Sequence, residues 1–242
     1  MKRYRILDEI RGFTLIGMIL YHMIWDLVYI FGFDLVWYRT GAAYVWQQSI
    51  CWTFILLSGF CFPLGRRKWR RGSVVFTAGL LVTGVSCVVV PKDRVVFGVL
   101  TLLGSCMLLA ALGDSLLRRI RPFAGLAANG FLFVLCRNIN DGFFGFEALR
   151  LFHVPEGLYR NLFTTYLGFP YPGFFSTDYF SLFPWFFLFL TGYYLSRLIE
   201  EKDWMRVLEK GRVGWAGWIG RHSLWIYLLH QPILMFALSL LL

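Results

Sequence analysis

His22 and Asp26 stand four residues apart in the apolar run Tyr21-His22-Met23-Ile24-Trp25-Asp26. At that spacing two side chains meet on one face of a helix. A carboxylate beside an imidazole fixes its tautomer and stabilises its protonated form. A neutral imidazole can take a proton from a hydroxyl or amine that attacks a thioester. Asp8 and Arg11 belong to the same stretch. Measured from Arg11 at roughly 100° per residue, Asp8 lies about 60° away, His22 about 20° and Asp26 about 60°, all on one side. At about 1.5 Å per residue, Asp8 to Asp26 covers roughly 27 Å, close to the roughly 30 Å hydrocarbon thickness of a bilayer. Ionisable side chains in such a place are costly and face a bundle interior or a wet cavity, which marks them as functional candidates. The competing reading is a structural polar network inside a bundle.

His230 is a second candidate, in Tyr227-Leu228-Leu229-His230-Gln231-Pro232. It falls about nine residues into the last apolar run, and Pro232 disturbs the backbone bonding nearby. His222, next to Arg221, reads as a headgroup or helix-dipole contact, and His153 as a surface residue. His22 and His230 would suffice for one haem, but nothing else supports it. No P-loop, dinucleotide-type glycine fingerprint or G-x-S-x-G occurs. The five cysteines fall in apolar segments without a CxxC or a Cys/His cluster, so neither a disulfide framework nor a metal site is expected.

The elements that position these residues belong to a membrane protein. Of 242 residues, 58% are hydrophobic and 16% charged, and mean hydropathy is +0.60; soluble domains carry about 25% charged residues. The net charge of +10 does not point to nucleic acid, because Lys and Arg sit in short loops between apolar spans, where the positive-inside rule places them. The expected architecture is all-α and polytopic, one domain over residues 1–242. It has about seven transmembrane helices, with interfacial or re-entrant helices between the fifth and sixth.

Lys2, Arg3 and Arg5 precede a first span near residues 10–31, read as retained rather than as a cleaved signal. The second span, near 44–64, ends in Arg66-Arg67-Lys68-Trp69-Arg70-Arg71, the strongest cytoplasmic marker. That run serves topology and anionic lipid; the sharper reading adds Arg118, Arg119 and Arg121 and a phosphate-bearing cofactor, with Trp69 stacked on its base. Spans near 73–90, 95–112 and 123–136 follow, then an aromatic, glycine-rich region from Arg137 to Tyr179 read as one or two capping helices. The sixth span, near 180–198, holds Pro184-Trp185. Glu200 to Lys210 read as a short surface helix before a last span near 221–242. Gly211, Gly214, Gly217 and Gly220 recur every third residue and read as a flexible approach to that span, with close helix packing as the alternative.

Five stretches carry a family resemblance. They are Arg5-Ile6-Leu7-Asp8-Glu9-Ile10-Arg11-Gly12 with the span to Asp26, Phe97 to Gly104, Asp178 to Gly192, and the closing Gly220 to Pro232; Arg11 and His22, with ten residues between them, form the fifth. The chain resembles the bacterial membrane proteins related to heparan-α-glucosaminide N-acetyltransferase, within the transmembrane acyltransferase superfamily. One departure is Thr101, where the small relatives often carry His, which leaves His22 as the main candidate.

The resemblance implies transfer of an acetyl group from cytosolic acetyl-CoA to a sugar amine or hydroxyl of a cell-envelope glycan at the outer side; the chain's length argues against heparan sulfate itself. His22 is then the general base and Asp26 its orienter, and a covalent acetyl-His22 stays open. Coenzyme A falls to Arg11, Asp8, Arg66, Arg67 and Trp69. The acceptor falls to Arg137, Asn138, Asp178, Trp185, His230 and Gln231, and no metal is expected. The expected setting is the cell (inner or plasma) membrane, multi-pass with a cytoplasmic N-terminus. Expected partners are the bilayer, coenzyme A and the sugar acceptor, with a homodimer left open. Two other classes compete: a carrier or flippase whose polar stripe lines a permeation path, and a membrane scaffold with a structural stripe.

Overall fold

A computed structural model describes residues 3–242; Lys2, counted above among the leading cations, lies outside them. Helices dominate. Among the described residues, four helical segments are long and apolar enough to cross a membrane: Arg5–Tyr29, Lys68–Val89, Pro122–Asp141 and Ser223–Leu241. Val99–Leu112 is a shorter apolar helix. The chain forms two compact units, one from the residues up to Leu57 with Ile199–Leu242, the other from Ser58–Leu198.

The first unit is built on α1 (Arg5–Tyr29), most of α2 (Gly41–Cys61), α9 (Gly214–Arg221) and α10 (Ser223–Leu241). Helix α1 has no side-chain cap at Tyr4, but Asp8 in its first turn complements the positive end of the helix dipole. Its apolar face buries Leu15 and Met18 against Ile50 of α2, with Trp46, Phe54 and Ile226 around them.

Helix α9 crosses α1 almost backbone to backbone. A Cβ on Gly12 would collide with the Ala216 carbonyl, and one on Gly220 with the Asp8 carbonyl. The Glu9 carboxylate accepts the backbone N–H of Val213 at 2.8 Å, anchoring the start of α9. At Gly220 the glycine therefore marks close packing rather than the flexible approach expected from the sequence, whereas Gly214 faces open space. Small residues let helix backbones approach where lipid offers no hydrophobic driving force. The surface helix expected over 200–210 is a short 3-10 segment, Trp204–Glu209.

The second unit contains α3 (Lys68–Val89), α4 (Val99–Leu112), α5 (Asp114–Leu117), α6 (Pro122–Cys136), α7 (Leu162–Leu167) and most of α8 (Trp185–Glu201). Helices α3 and α4 pack tightly because Gly79 meets Thr101 and Gly104 meets Phe76. Pro122 opens α6 at the position where a missing N–H costs nothing. Asn161 opens α7 with a capping box, its side chain on the Thr164 N–H and the Thr164 hydroxyl on its own N–H.

Residues 137–179 were expected as helices alone. They instead form an antiparallel hairpin, β1 (Phe143–Phe146) and β2 (Leu149–His153), and only then the six-residue α7. The ladder runs Phe143 to His153 and Phe146 to Leu149, with a bulge at Gly145, whose φ of 146° suits glycine alone. Alternate residues of β1 are buried, a period of two that aromatic residues fill well. The sixth helix begins only at Trp185, after a bend and turn over residues 182–184 that contain Pro184.

Candidate functional site

The chemistry-bearing residues of the first unit converge from opposite ends of the sequence. The rings of His22 on α1 and His230 on α10 lie 5.0 Å apart between centroids, at 62° to one another. One turn beyond His22, Asp26 is fully buried. Its Oδ1 accepts the Gln231 Nε2–H at 2.7 Å, while its Oδ2 has no hydrogen-bond partner. The structure thus ties Asp26 to Gln231, not to the His22 ring as the i, i+4 spacing implied.

His230 is held from its own helix. Its Nδ1 lies 2.5 Å from the Tyr227 carbonyl oxygen. A carbonyl only accepts, so Nδ1 carries the hydrogen and Nε2 of the neutral ring bears the lone pair. That Nε2 is buried and without a partner, and so is the Gln231 Oε1. Three acceptors therefore lie together with no donor: Asp26 Oδ2, His230 Nε2 and Gln231 Oε1. Pro232 removes the N–H that would serve the carbonyl four residues back.

Aromatic residues form the wall beside this group. Tyr21 stands edge-on to His22 at 6.2 Å and to Trp46 at 5.4 Å. Tyr38, buried in the loop after α1, donates its hydroxyl to the Tyr21 carbonyl at 3.1 Å. Near the other end of α1, about 21 Å along the helix by its rise, Asp8 pairs with Arg11 at 3.6 Å and Arg3 at 3.3 Å. Arg11 is thus paired with Asp8 within the first turns of α1. His222 ends α9 with Nδ1 on the Trp218 carbonyl at 2.9 Å, the dipole contact expected of it.

The remaining expected residues lie in the second unit and are engaged by the fold there. The Asp178 carboxylate accepts the Val99 N–H at 3.3 Å, capping α4 from a distant segment. Asn138 donates to Asp141 at 2.8 Å and accepts the Glu147 N–H at 2.7 Å, bracing the hairpin turn. Arg137 stacks over the Trp185 ring at 5.1 Å and reaches Glu147 at 3.6 Å. Trp185 is buried among Phe133 and Phe180. Arg66, Arg67 and Trp69 are exposed at the start of α3. Lys68 instead turns inward to Asp114 at 2.7 Å and over the Phe62 ring at 5.1 Å. Thr101, in place of the expected histidine, is buried with its hydroxyl unpartnered.

Sequence reasoning missed the roles of Glu9, Tyr38 and Tyr227. Only Tyr227 left a signal, three residues before His230, where its carbonyl comes within reach of a helical imidazole.

Residues 3–232 match the family model described as heparan-alpha-glucosaminide N-acetyltransferase, catalytic. The chain belongs to that family. No curated protein and no solved structure matches it. The family match takes in His22, Asp26, His230 and Gln231 and ends at Pro232. Together with the long apolar helices, it makes the chain a multi-pass membrane transferase of the acetyltransferase type.

Proposed function

We infer that this chain moves an acetyl group from acetyl-CoA on the cytosolic side of the cell membrane to a sugar amine or hydroxyl on the outer side, with a cytoplasmic N-terminus. The observation that carries this reading is the buried meeting of His22, His230, Asp26 and Gln231 within apolar helices of an N-acetyltransferase family domain. Buried polar atoms without partners are rare in folded chains. Here they are acceptors, and they suit a ligand that brings N–H or O–H donors.

The His22 ring takes the proton of the attacking nitrogen or oxygen as the new bond to the carbonyl carbon forms. When the carbon–sulfur bond breaks, His22 returns that proton to the thiolate, so acetyl-CoA and acceptor become acetylated acceptor and coenzyme A. Asp26, held by Gln231, acts beside the imidazoles on the incoming donor group. Arg11, with Asp8, supplies a cation for the phosphates of coenzyme A. Arg137, Asn138, Asp178 and Trp185, expected on the acceptor side, brace the second unit.

The test uses detergent-purified protein, acetyl-CoA and glucosamine. His22→Ala is expected to cut transfer by about 10²- to 10⁴-fold in a protein that stays monodisperse, and coenzyme A is expected to raise the wild-type unfolding midpoint. No shift at millimolar coenzyme A, together with unchanged transfer in His22→Ala, overturns the reading. Flux of sugar without consumption of acetyl-CoA would identify a carrier.

A further inference from the structure

If the acceptor is an amine, the proposed reaction has one proton too many for a single base. A sugar amine near neutral pH is largely ammonium and has no lone pair to attack with. It must lose one proton before attack and a second from the nitrogen of the tetrahedral adduct. The departing thiolate takes up only one. His22 can serve the second proton and its return to sulfur, and the first needs a separate acceptor.

We propose that His230 is that second base, its Nε2 deprotonating the ammonium acceptor before attack. This inference rests on the acetyl-transfer reading above. The Tyr227 carbonyl holds the Nδ1 hydrogen at 2.5 Å, so Nε2 is the lone-pair nitrogen. That nitrogen is buried without a partner, and the His22 ring stands 5.0 Å away. Asp26 Oδ2 and Gln231 Oε1, on the bonded pair next in sequence to His230, are also buried without partners, and such acceptors suit an N–H-rich cation. His22 of α1 faces the His230 ring, Asp26 of α1 bonds the neighbouring Gln231, and Tyr227 holds Nδ1 from its own helix. Arg221 and His222 lie about two helical turns away.

The step balances as follows. R–NH3⁺ gives a proton to His230 Nε2, and the freed electron pair forms the bond to the thioester carbon. His22 takes the second N–H proton. The carbonyl re-forms, the carbon–sulfur bond breaks, and the thiolate takes the proton from His22. The sum is R–NH3⁺ plus acetyl-CoA to R–NH–CO–CH3, coenzyme A and one proton, which rests on His230 until it passes to water.

The experiment compares two nucleophiles on wild type and His230→Gln near neutral pH: glucosamine, largely protonated, and hydroxylamine, largely neutral. The variant is expected to lose about 10²- to 10⁴-fold in kcat with glucosamine, to change only a few-fold with hydroxylamine, and to recover glucosamine transfer as pH rises through the amine's own titration. Equal losses with both nucleophiles, or no recovery with pH, overturn the proposal. Should the variant not fold, wild-type pH–rate profiles decide. The wild-type kcat/KM for glucosamine is expected not to rise with the free-amine fraction, and a rise in step with that fraction overturns the proposal. Failure of wild type to acetylate either nucleophile would instead bring down the acetyl-transfer reading itself.

Discussion

Two buried polar groups, one in each unit, differ in how completely they are paired. In the second unit Asn140 is bonded at both ends. Its Nδ2 donates to the Gly168 carbonyl at 3.0 Å and to Ser181 at 3.0 Å, and its Oδ1 accepts the Ser181 hydroxyl at 3.3 Å. Tyr179 donates to the Thr165 carbonyl, and the Thr165 hydroxyl accepts the Tyr171 N–H while donating to Asn161. In the first unit Asp26, His230 and Gln231 each use one polar atom and leave another buried and unpaired. A closed network stabilises a fold, because each buried polar group meets a partner. An open one costs stability and persists where a ligand closes it. The difference assigns structure to the Asn140 group and chemistry to the Asp26 group.

The sharpest way to break that comparison is Asp26→Asn. The amide keeps an oxygen for the Gln231 Nε2–H but puts a donor where Oδ2 was an acceptor. Acetyl transfer is expected to fall by about 100-fold, in the range of removing one positioned charged group, with the unfolding midpoint unchanged or raised. Steady-state kinetics beside thermal unfolding read both. A variant of full activity and lowered stability would make Asp26 a structural residue like Asn140.

The opposite signature is expected of Asn140→Ala. It leaves the Gly168 carbonyl and the Ser181 hydroxyl short of a partner, at a cost on the order of 1–3 kcal/mol for each buried group left unsatisfied. Chemical denaturation should report that loss, while kcat of the folded fraction stays near wild type. A selective loss of kcat at unchanged stability would remove the contrast between the two groups.

Much of the first unit's site was legible in the sequence, because a helix turns positions into directions. The stripe from Asp8 to Asp26 follows from a period of 3.6 residues, and the matching depth of His230 follows from counting residues into an apolar run. What stayed hidden was tertiary. Gln231 reaches Asp26 across 205 residues of chain, and no local pattern announces such a bond. The spacing of His22 and Asp26 pointed instead to each other. Asp178 caps α4 across 79 residues, whereas the sequence pointed to it as a group for the acceptor. The hairpin at 143–153 was masked by its aromatic content, which suits an interfacial helix and a strand alike, and its bulge at Gly145 broke the alternation. The glycines before the last span gave a period but no partner, and only the Asp8 backbone against Gly220 shows why a side chain is excluded there.

The smallest effect belongs to a charged cluster that is neither buried nor open. Asp114 accepts from Lys68 at 2.7 Å and from Arg118 at 2.9 Å. Partial burial alone would raise its carboxyl, but the hydrogen bonds and charges of these two cations outweigh it and hold the group below its ordinary value. With the folded value depressed, the contribution to stability is complete above the ordinary carboxylate range near about 4. It disappears as pH falls through the folded value, because the protonated acid no longer attracts either cation. The side chains of Asp114 and Lys68 are 25% and 15% exposed and that of Arg118 55%, so solvent screens the pair and its worth is expected at the low end, within about 0–1 kcal/mol. Asp114→Asn should therefore lie slightly below wild type in unfolding midpoint at neutral pH and converge with it in acid. A gap that widens on acidification would mean that burial, not the cations, governs Asp114, and would move this cluster toward the open kind represented by Asp26.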